Sequence, residues 1–490
     1  MSGREPDLRL ITIIVACATF IAQLDVSLVL IALPAIAASF DVQPVDVSIG
    51  VTAYVLSQAV LLPGTEWVAS RFGARRVFSC ALAGFALTSA LCALSGSVES
   101  FTAARVLQGA AAALVNSIGR IILVQSTPKS ELVRIMSIIT IPILLAPSLG
   151  PPLGGFIVTH LSWEWVFLVN VPLALAGIPL ALRVVPRTDR GARRPFDFTG
   201  FLVAGIALTL LLSALDGIGA GRLSWQAACA MLAAGMLFGF WTIRHARRHP
   251  YPVLSLEPAG IRTFWVATAG GGLLARVSIR ALPFVLTLMF QTALGLDAFW
   301  SGVLLFALSG GDLVLKFVVP PVLRRFGFRN LLIATAVLSA ASIAACAAFS
   351  PSTPLWAIFV VLLASGMVRS FLFTGLSTLA LADVPAPQLG AASVLWNVFL
   401  QVTNALAISV STILLSASAR VLGEPGASPA LIDFRNTLIA LAAIGALSTF
   451  SFVRLARDAG VNVSGWRPPA ASGKQSEGTH PGGRARRQRA

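Results

Sequence analysis

Fourteen apolar stretches, each long enough to cross a lipid bilayer as an α-helix, follow one another along this chain. A bilayer's hydrocarbon core takes about 20 apolar residues of helix to cross. Charged residues make up only 11% of the chain, against about 25% in soluble domains, so the chain lacks the polar surface of a water-soluble fold. The sequence therefore predicts an all-α polytopic membrane protein. Its predicted spans begin near Leu10, Val47, Val77, Phe101, Met136, Trp165, Phe198, Leu223, Phe264, Phe299, Asn330, Leu355, Leu389 and Asn436.

The basic residues, which give the chain a net charge of +16, lie in alternate gaps between the spans. The gaps of the other set hold only Arg222, Arg420 and Arg435. This asymmetry is the one described by the positive-inside rule, and it predicts that both termini are cytoplasmic. The basic residues form no patch or stripe of the kind that binds nucleic acid. We therefore expect the lipid bilayer, and no nucleic acid, as a partner.

Two short loops share the pattern R-F-G-x-R. It occurs at Arg71–Arg75 after the second span and at Arg325–Arg329 after the tenth span, which is the same topological place. Glycine can adopt the positive φ angle that reverses a chain in so short a turn. We interpret the match as a trace of duplication. Internally repeated membrane bundles usually hold their substrate between the repeats, near the midplane.

The repeat predicts four regions along the chain. They are an N-terminal six-helix bundle (1–186), a segment of basic loops with two extra transmembrane helices (187–252), a C-terminal six-helix bundle (253–458) and a basic cytoplasmic tail (459–490). The tail is rich in Gly, Pro, Ser and Arg, and this composition predicts disorder.

Four local motifs resemble those of a known transporter family. They are Leu24-Asp25-Val26-Ser27 through Ala32-Leu33-Pro34, Arg105-Val106-Leu107-Gln108-Gly109, Gly150-Pro151-Pro152-Leu153-Gly154-Gly155, and Trp163-Glu164-Trp165-Val166-Phe167-Leu168-Val169-Asn170-Val171-Pro172. The third is the most specific, because two prolines and three glycines rarely stand together in an apolar span. Together the motifs resemble the fourteen-helix drug:proton antiporter branch of the major facilitator superfamily, over about residues 10–456. Leu282-Pro283-Phe284, Lys316 and Thr378–Pro385 resemble its MdtD-type subgroup.

This resemblance implies both a fold and a function. The fold would be two six-helix bundles of the major facilitator type with two additional helices between them. The function would be secondary active efflux across a bacterial plasma (inner) membrane, with a small molecule exchanged for protons by alternating access. No enzyme activity, cofactor or metal is expected. The substrate and protons are the expected partners, and the sequence does not identify any adaptor protein.

Two motifs of the resemblance concern helix contacts. In the fifth span, Gly150, Pro151, Gly154 and Gly155 would form the antiporter motif, a bend that helps to seal one bundle against the other. Ordinary tight helix packing is the alternative. The cytoplasmic gate loop comprises Glu66, Arg71, Gly73, Arg75 and Arg76. It departs from the family pattern G-x-L-x-D-R-x-G-x-R-R, since Ser70 replaces the aspartate and Glu66 replaces the first glycine. Either Glu66 supplies the missing charge from one turn away, or the gate is weaker.

Seven ionisable side chains lie within the predicted spans, where each costs about 2.5–3.5 kcal/mol on insertion scales. Counted at about 1.5 Å per residue, Asp25 and Arg105 lie at similar depth and can pair. The pair is either the proton-coupling centre or a fixed structural ion pair. The full set is Asp25, Arg105, Arg276, Arg280, Asp312, Lys316 and Arg369.

The second bundle carries most of these buried charges. Arg276 and Asp312 come out at comparable depth, and they either form a structural ion pair or serve the substrate cavity. That pairing leaves Arg280, Lys316 and Arg369 without an acidic partner. Asn397, Gln401 and Asn404 form a polar stripe at helical spacing, which either faces the cavity or makes hydrogen bonds between helices. We predict that all eight of these residues line the substrate cavity.

The unpaired cations indicate an anionic or carboxylate-bearing substrate, since fixed positive charge repels cations and arginine matches carboxylate geometry. Export of lipophilic cations, as in a multidrug exporter, is the alternative. A channel would show a pore-lining loop or rings of like charge, and a membrane enzyme would show clustered catalytic groups. The sequence contains neither pattern.

Overall fold

The computed structural model describes residues 8–127, 132–186, 195–219, 221–315, 318–385, 388–422, 429–456 and 459–461. This part of the chain is largely helical. The helices are α1 (Leu8–Ser39), α2 (Pro44–Leu61), α3 (Thr65–Phe72), α4 (Ala74–Ala93), α5 (Val98–Ser126), α6 (Leu132–His160), α7 (Trp165–Leu168), α8 (Asn170–Val184), α9 (Phe198–Gly219), α10 (Trp225–Ala246), α11 (Arg262–Thr268), α12 (Gly271–Leu288), α13 (Ala298–Leu315), α14 (Val319–Cys346), α15 (Leu355–Ala382), α16 (Leu389–Leu422) and α17 (Leu431–Val453).

The helices reproduce the predicted spans. Three spans consist of two helical pieces each, namely α2 with α3, α7 with α8, and α11 with α12. In the described part of the chain, 13 spans are long and apolar enough to cross a membrane. The 29-residue helix α6 lies at the place of the remaining predicted span. The predicted all-α membrane fold is therefore confirmed.

The helices form two bundles that meet along two seams. One seam joins α6 to α13, and the other joins α2 to α16. Helix α9 packs against both α2 and α16, and α10 packs on α9 with half of its residues exposed. The two extra helices therefore cover the α2–α16 seam from outside.

The hydrophobic cores show where the bundles touch. We call the end of the molecule where α1 begins the basic end, and the other the opposite end. At the opposite end one continuous core joins both bundles, with Leu28 of α1 and Phe284 of α12 among its members. At the basic end each bundle has its own core, around Phe78 in the first and Phe328 in the second. The bundles are therefore sealed at the opposite end and separate toward the basic end.

The repeated loop motif adopts the same turn twice. Gly73 lies between α3 and α4 with φ 88° and ψ 126°. Gly327 breaks the regular conformation of α14 with φ 72° and ψ 167°. A residue with a Cβ atom rarely adopts such a positive φ. The predicted role of both glycines is confirmed.

Candidate functional site

The centre of the first bundle holds a closed ion pair. Arg105 of α5 lies 2.7 Å from Asp25 of α1, and both side chains are 0% exposed. Their predicted proximity is confirmed. Removing two charges from water costs several kcal/mol per ion, so such a pair persists only when further hydrogen bonds satisfy it.

Neighbouring amides supply those hydrogen bonds. Asp25 Oδ1 accepts from Gln108 Nε2 at 3.0 Å and from Asn170 Nδ2 at 2.8 Å. Gln108 Nε2 also donates to Ser89 Oγ at 2.8 Å, and its carbonyl oxygen accepts from Arg105. The Asp25 carboxylate thus accepts from three donors on α5 and α8, and Ser89 of α4 joins the network through Gln108.

The spacing of the R-x-x-Q-G motif explains this geometry. Arg105 and Gln108 stand three residues apart on one face of α5, so both reach Asp25. The Tyr54 ring lies 4.0 Å from the Arg105 guanidinium carbon. A Cβ atom at Gly109 would overlap the Tyr54 carbonyl oxygen and lie 3.0 Å from its Cα. Glycine therefore brings α5 close enough to α2 for the aromatic ring to cover the arginine.

Sequence reasoning did not assign Asn170 and Tyr54 to this site. Asn170 lies in the segment after the antiporter motif, where the family resemblance gives it no role, and Tyr54 is an isolated tyrosine in an apolar span. The amide side chain of Asn170 within an apolar span is the sequence signal of a buried polar centre.

The structural ion pair between Arg276 and Asp312, one of the two alternatives, does not form in this structure. Arg276 is 0% exposed and donates to the carbonyl oxygens of Ala267 at 2.8 Å and Thr268 at 2.6 Å. These carbonyls end α11, where the break before α12 leaves them without helical partners. The guanidinium also stacks on Trp396, 4.7 Å from the ring centre. Arg276 therefore stabilises the interrupted span and is not accessible to a substrate in this conformation.

Asp312 pairs with Arg369 instead. The two side chains, on α13 and α15, lie 3.3 Å apart and are 18% and 14% exposed. The prediction that Arg369 has no acidic partner is therefore wrong. The contact exists because Gly311 and Gly366 let α13 and α15 pack backbone to backbone, which brings the adjacent side chains together.

Arg280 is an accessible cation within the membrane-spanning helix α12 of the second bundle. Protein atoms surround it, with Arg369 and Asp312 close enough to affect its charge, yet its side chain is solvent-exposed. Its guanidinium lies 4.9 Å from the Phe373 ring centre. Lys316 lies outside the described residues.

Arg120 of the first bundle is accessible in the same way as Arg280. It too is exposed although protein atoms surround most of it. It lies toward the end of α5 at the basic end, in the part of the molecule where the two bundles separate. Arg120 is thus a second accessible arginine.

The polar stripe of α16 joins the two bundles. Gln401 Nε2 donates to Gln58 Oε1 of α2 at 2.8 Å, and Asn404 Nδ2 donates to Gln401 Oε1 at 3.1 Å. Asn397 donates to the Ser393 carbonyl oxygen of its own helix at 2.8 Å. Gln401 thus makes a hydrogen bond between helices, whereas the bonds of Asn397 and Asn404 stay within α16.

The antiporter-motif glycines face two different helices. A Cβ atom at Gly150 would overlap Ser27 of α1, and one at Gly154 would lie 3.3 Å from Leu28 Cα. A Cβ atom at Gly155 would instead overlap the Ala298 carbonyl oxygen of α13. Gly302 of α13 makes the same kind of contact from the other side, since a Cβ atom there would overlap the Pro151 carbonyl oxygen of α6. The motif therefore packs α6 against its own bundle and also seals the seam between the bundles.

The gate-loop residues are solvent-accessible at the basic end. Glu66, Arg71 and Arg76 are exposed, and Arg75 is half-buried. Within the described ranges, Glu66 forms no salt bridge. Ser70 donates to the Trp67 carbonyl oxygen of its own helix at 2.8 Å. Whether Glu66 replaces the family's aspartate stays a prediction for a conformation in which the basic end is closed.

Two acids of the extra helices were missed by the sequence reasoning. Asp216 is buried on α9, 3.4 Å from Thr52 Oγ1 and 3.3 Å from Arg222. Its signal was an acid within an apolar run. Asp197 precedes α9 and forms part of a cluster with His245 and His249, whose signal was two histidines four residues apart.

Comparison with known proteins agrees with this geometry. Residues 15–408 match the family described as the Major Facilitator Superfamily. Proteins named putative multidrug resistance protein MdtD are 33% identical in Cronobacter sakazakii, over 92% of this chain and 95% of the relative, and 33% identical in Serratia proteamaculans, over 92% and 94%.

Solved structures share the fold at low identity. A D-xylose–proton symporter superposes with a TM-score of 0.65 at 14% identity, covering 92% of this chain and 99% of its own. A bacterial homologue of the human lysosomal transporter Spinster, in an inward-facing and occupied conformation, gives 0.63 at 14% identity, covering 92% and 97%. The chain belongs to the Major Facilitator Superfamily and is a multi-pass membrane transporter of small molecules rather than an enzyme.

Proposed function

We propose that this transporter exports its substrate in exchange for protons. The positive-inside rule supports a cytoplasmic location for the basic end and for both termini. The bundles separate at that end and share one core at the other. With this orientation the conformation is inward-facing, ready to load substrate from the cytoplasm of a bacterial cell.

The Asp25 network carries the proton-coupling proposal. Asp25 is the only buried carboxylate among the described residues of the first bundle. Protonation removes the charge that Arg105, Gln108 and Asn170 all stabilise, and it leaves a buried arginine without its counter-ion. A buried pair that loses one partner is destabilised by about 3–5 kcal/mol. Proton binding can therefore supply free energy for rearrangement of the helices that hold these residues.

Asp25→Asn tests this role, with Asp216→Asn as the matched control. Both changes neutralise a buried carboxylate, but Asp216 lies on the extra helix α9. We expect Asp25→Asn to abolish substrate-coupled proton movement in proteoliposomes, while Asp216→Asn retains it. Full coupling in Asp25→Asn, in a protein that elutes as the parent does, would show that the proton site lies elsewhere.

The substrate is proposed to be anionic or to bear a carboxylate. Arg369 and Asp312 neutralise each other, and Arg276 is engaged by backbone carbonyls. The proposal therefore rests on Arg280, which is accessible and has the Phe373 ring beside it. A guanidinium can bind a carboxylate through two parallel hydrogen bonds, and the ring offers an apolar surface to the rest of the molecule.

Ligand competition with matched anionic and cationic compounds tests the substrate charge. We expect the parent to prefer the anions, and Arg280→Gln to weaken anion binding by about tenfold or more, since hydrogen bonds to charged groups contribute roughly 1.5–3 kcal/mol. Arg244→Gln, the same charge change at the exposed end of α10, is the control. A preference for quaternary ammonium ligands that Arg280→Gln leaves unchanged would favour the second candidate, export of lipophilic cations. The relatives' name, multidrug resistance protein, supports that candidate.

A further inference from the structure

A cluster of two histidines and an aspartate lies at the basic end, where Asp197 precedes α9, His245 stands in the last turn of α10 and His249 follows that helix. His245 Nε2 is 2.7 Å from Asp197 Oδ1, and the His245 and His249 rings stack with centroids 5.1 Å apart. One potential ligand atom from each of the three residues lies within 4.8 Å of the others. These three residues are separate from the Asp25–Arg105 ion pair and from the accessible arginines Arg120 and Arg280.

We propose that Asp197, His245 and His249 bind a divalent transition-metal ion of the zinc type. Imidazole and carboxylate groups bind zinc at about 2.0–2.2 Å in tetrahedral geometry, which places neighbouring ligand atoms roughly 3.4 Å apart. The candidate ligand atoms of the three residues are at least 2.7 Å and at most 4.8 Å apart, a range that includes this value. Small side-chain rotations are therefore enough to form the site, with one coordination position left for water.

Asp197 is held in place for this role. Its Oδ1 accepts from the Gly200 backbone N–H at 2.8 Å, and its Oδ2 accepts from the Val253 backbone N–H at 3.2 Å. Hydrogen bonds of this kind orient metal-binding carboxylates. Burial opposes ionisation of Asp197, but these hydrogen bonds and the one to His245 lower its pKa below the usual range. The two backbone hydrogen bonds fix the orientation of the Asp197 carboxylate beside His245.

The histidines are also arranged as a pair of ligands. His249 donates its backbone N–H to the His245 carbonyl oxygen at 2.9 Å, so the helical turn continues and both rings point to one side. His249 Nδ1 accepts only a long, exposed hydrogen bond of 3.2 Å from the Tyr251 N–H, which a metal bond can replace. A bound ion would clamp the start of α9, the end of α10 and the segment that leads into the second bundle.

Cobalt titration of the full-length protein, purified without a polyhistidine tag, tests the site. Tetrahedral Co²⁺ absorbs visible light, and zinc should displace it. We expect saturable binding of one equivalent in the parent and in a control that lacks the other two histidines, His160→Ala with His480→Ala. The paired variant His245→Ala with His249→Ala should bind at least about tenfold more weakly, as outer contacts alone contribute 10–100-fold.

His249→Gln keeps the test decisive if the paired variant does not fold. It changes an accessible side chain and leaves the Asp197–His245 contact intact, so it should lower metal affinity with an unchanged elution profile. The proposal fails if the parent shows no saturable cobalt absorption, or if the paired variant or His249→Gln binds as tightly as the parent. Asp197 and His245 would then serve only to fasten α9 to α10.

Discussion

Gly155→Ala should shift the conformational equilibrium of the transporter. Gly155 lies on the α6–α13 seam, where the two bundles touch at the opposite end. An added Cβ would overlap the Ala298 carbonyl oxygen and lie 2.8 Å from Phe299 Cα. Carbon atoms in favourable contact are about 3.5–4.0 Å apart, so the helices must separate by roughly 1 Å. We expect the variant to disfavour the conformation in which this end is closed.

The size of the shift follows from the cost of overpacking. An extra methyl group in a well-packed interior costs about 1–3 kcal/mol. In alternating access the opposite end opens, so that cost is relieved in the outward-facing conformation. The whole cost of overpacking then changes the equilibrium constant between the inward-facing and outward-facing states, by about 5- to 150-fold.

Distances between the two bundles at the opposite end would measure this shift. Leu94 and Trp356 are 81% and 71% exposed and lie at that end of the first and second bundle. Spin labels on cysteines at these positions, in a variant without the native cysteines, report the separation by pulsed electron paramagnetic resonance. Gly155→Ala should transfer population to longer distances.

Gly154→Ala is the matched control for this prediction. The Cβ at Gly154 would lie 3.3 Å from Leu28 Cα, a milder contact with a helix of the same bundle, which does not open with the seam. Gly302→Ala, which meets the Pro151 carbonyl oxygen from the other side of the seam, should act as Gly155→Ala does. Distance distributions unchanged in Gly155→Ala, or changed equally in Gly154→Ala, would refute the reasoning.

Two further predictions concern stability. Arg276→Met should lower the thermal unfolding temperature in detergent, because it leaves two buried carbonyl groups without donors at about 1–3 kcal/mol each; an unchanged temperature would show that water replaces the guanidinium. For Asp197 the folded-state pKa is depressed, so its contribution to stability is present above the ordinary pKa of about 3.9 and is lost as pH falls through the folded pKa. Asp197→Asn should therefore be less stable than the parent at neutral pH, and the difference should shrink in acid. A difference that is constant with pH would mean that the charge of Asp197 is not what stabilises the contact.

The amino-acid sequence by itself determined the properties that depend on position along a helix axis. Apolar length predicted the spans, and loop charge predicted an orientation. Counting 1.5 Å per residue placed Asp25 and Arg105 at one depth, and the structure joins them at 2.7 Å. The R-F-G-x-R motif predicted a positive φ angle at its glycine, because φ is a local property of the backbone and few other residues adopt positive values.

Tertiary structure alone decided which side chains at one depth meet. Depth does not specify how each helix is rotated about its axis or which neighbour it faces. Residue counting gives Arg276 and Asp312 comparable depths, but Arg276 donates to carbonyl groups at a helix break, and close packing of α13 on α15 presents Asp312 to Arg369. His245 and Asp197 stand 48 residues apart in the chain and meet only because α9 and α10 fold into a hairpin. Helix rotation and helix pairing result from the packing of many side chains at once, so no local motif encodes them.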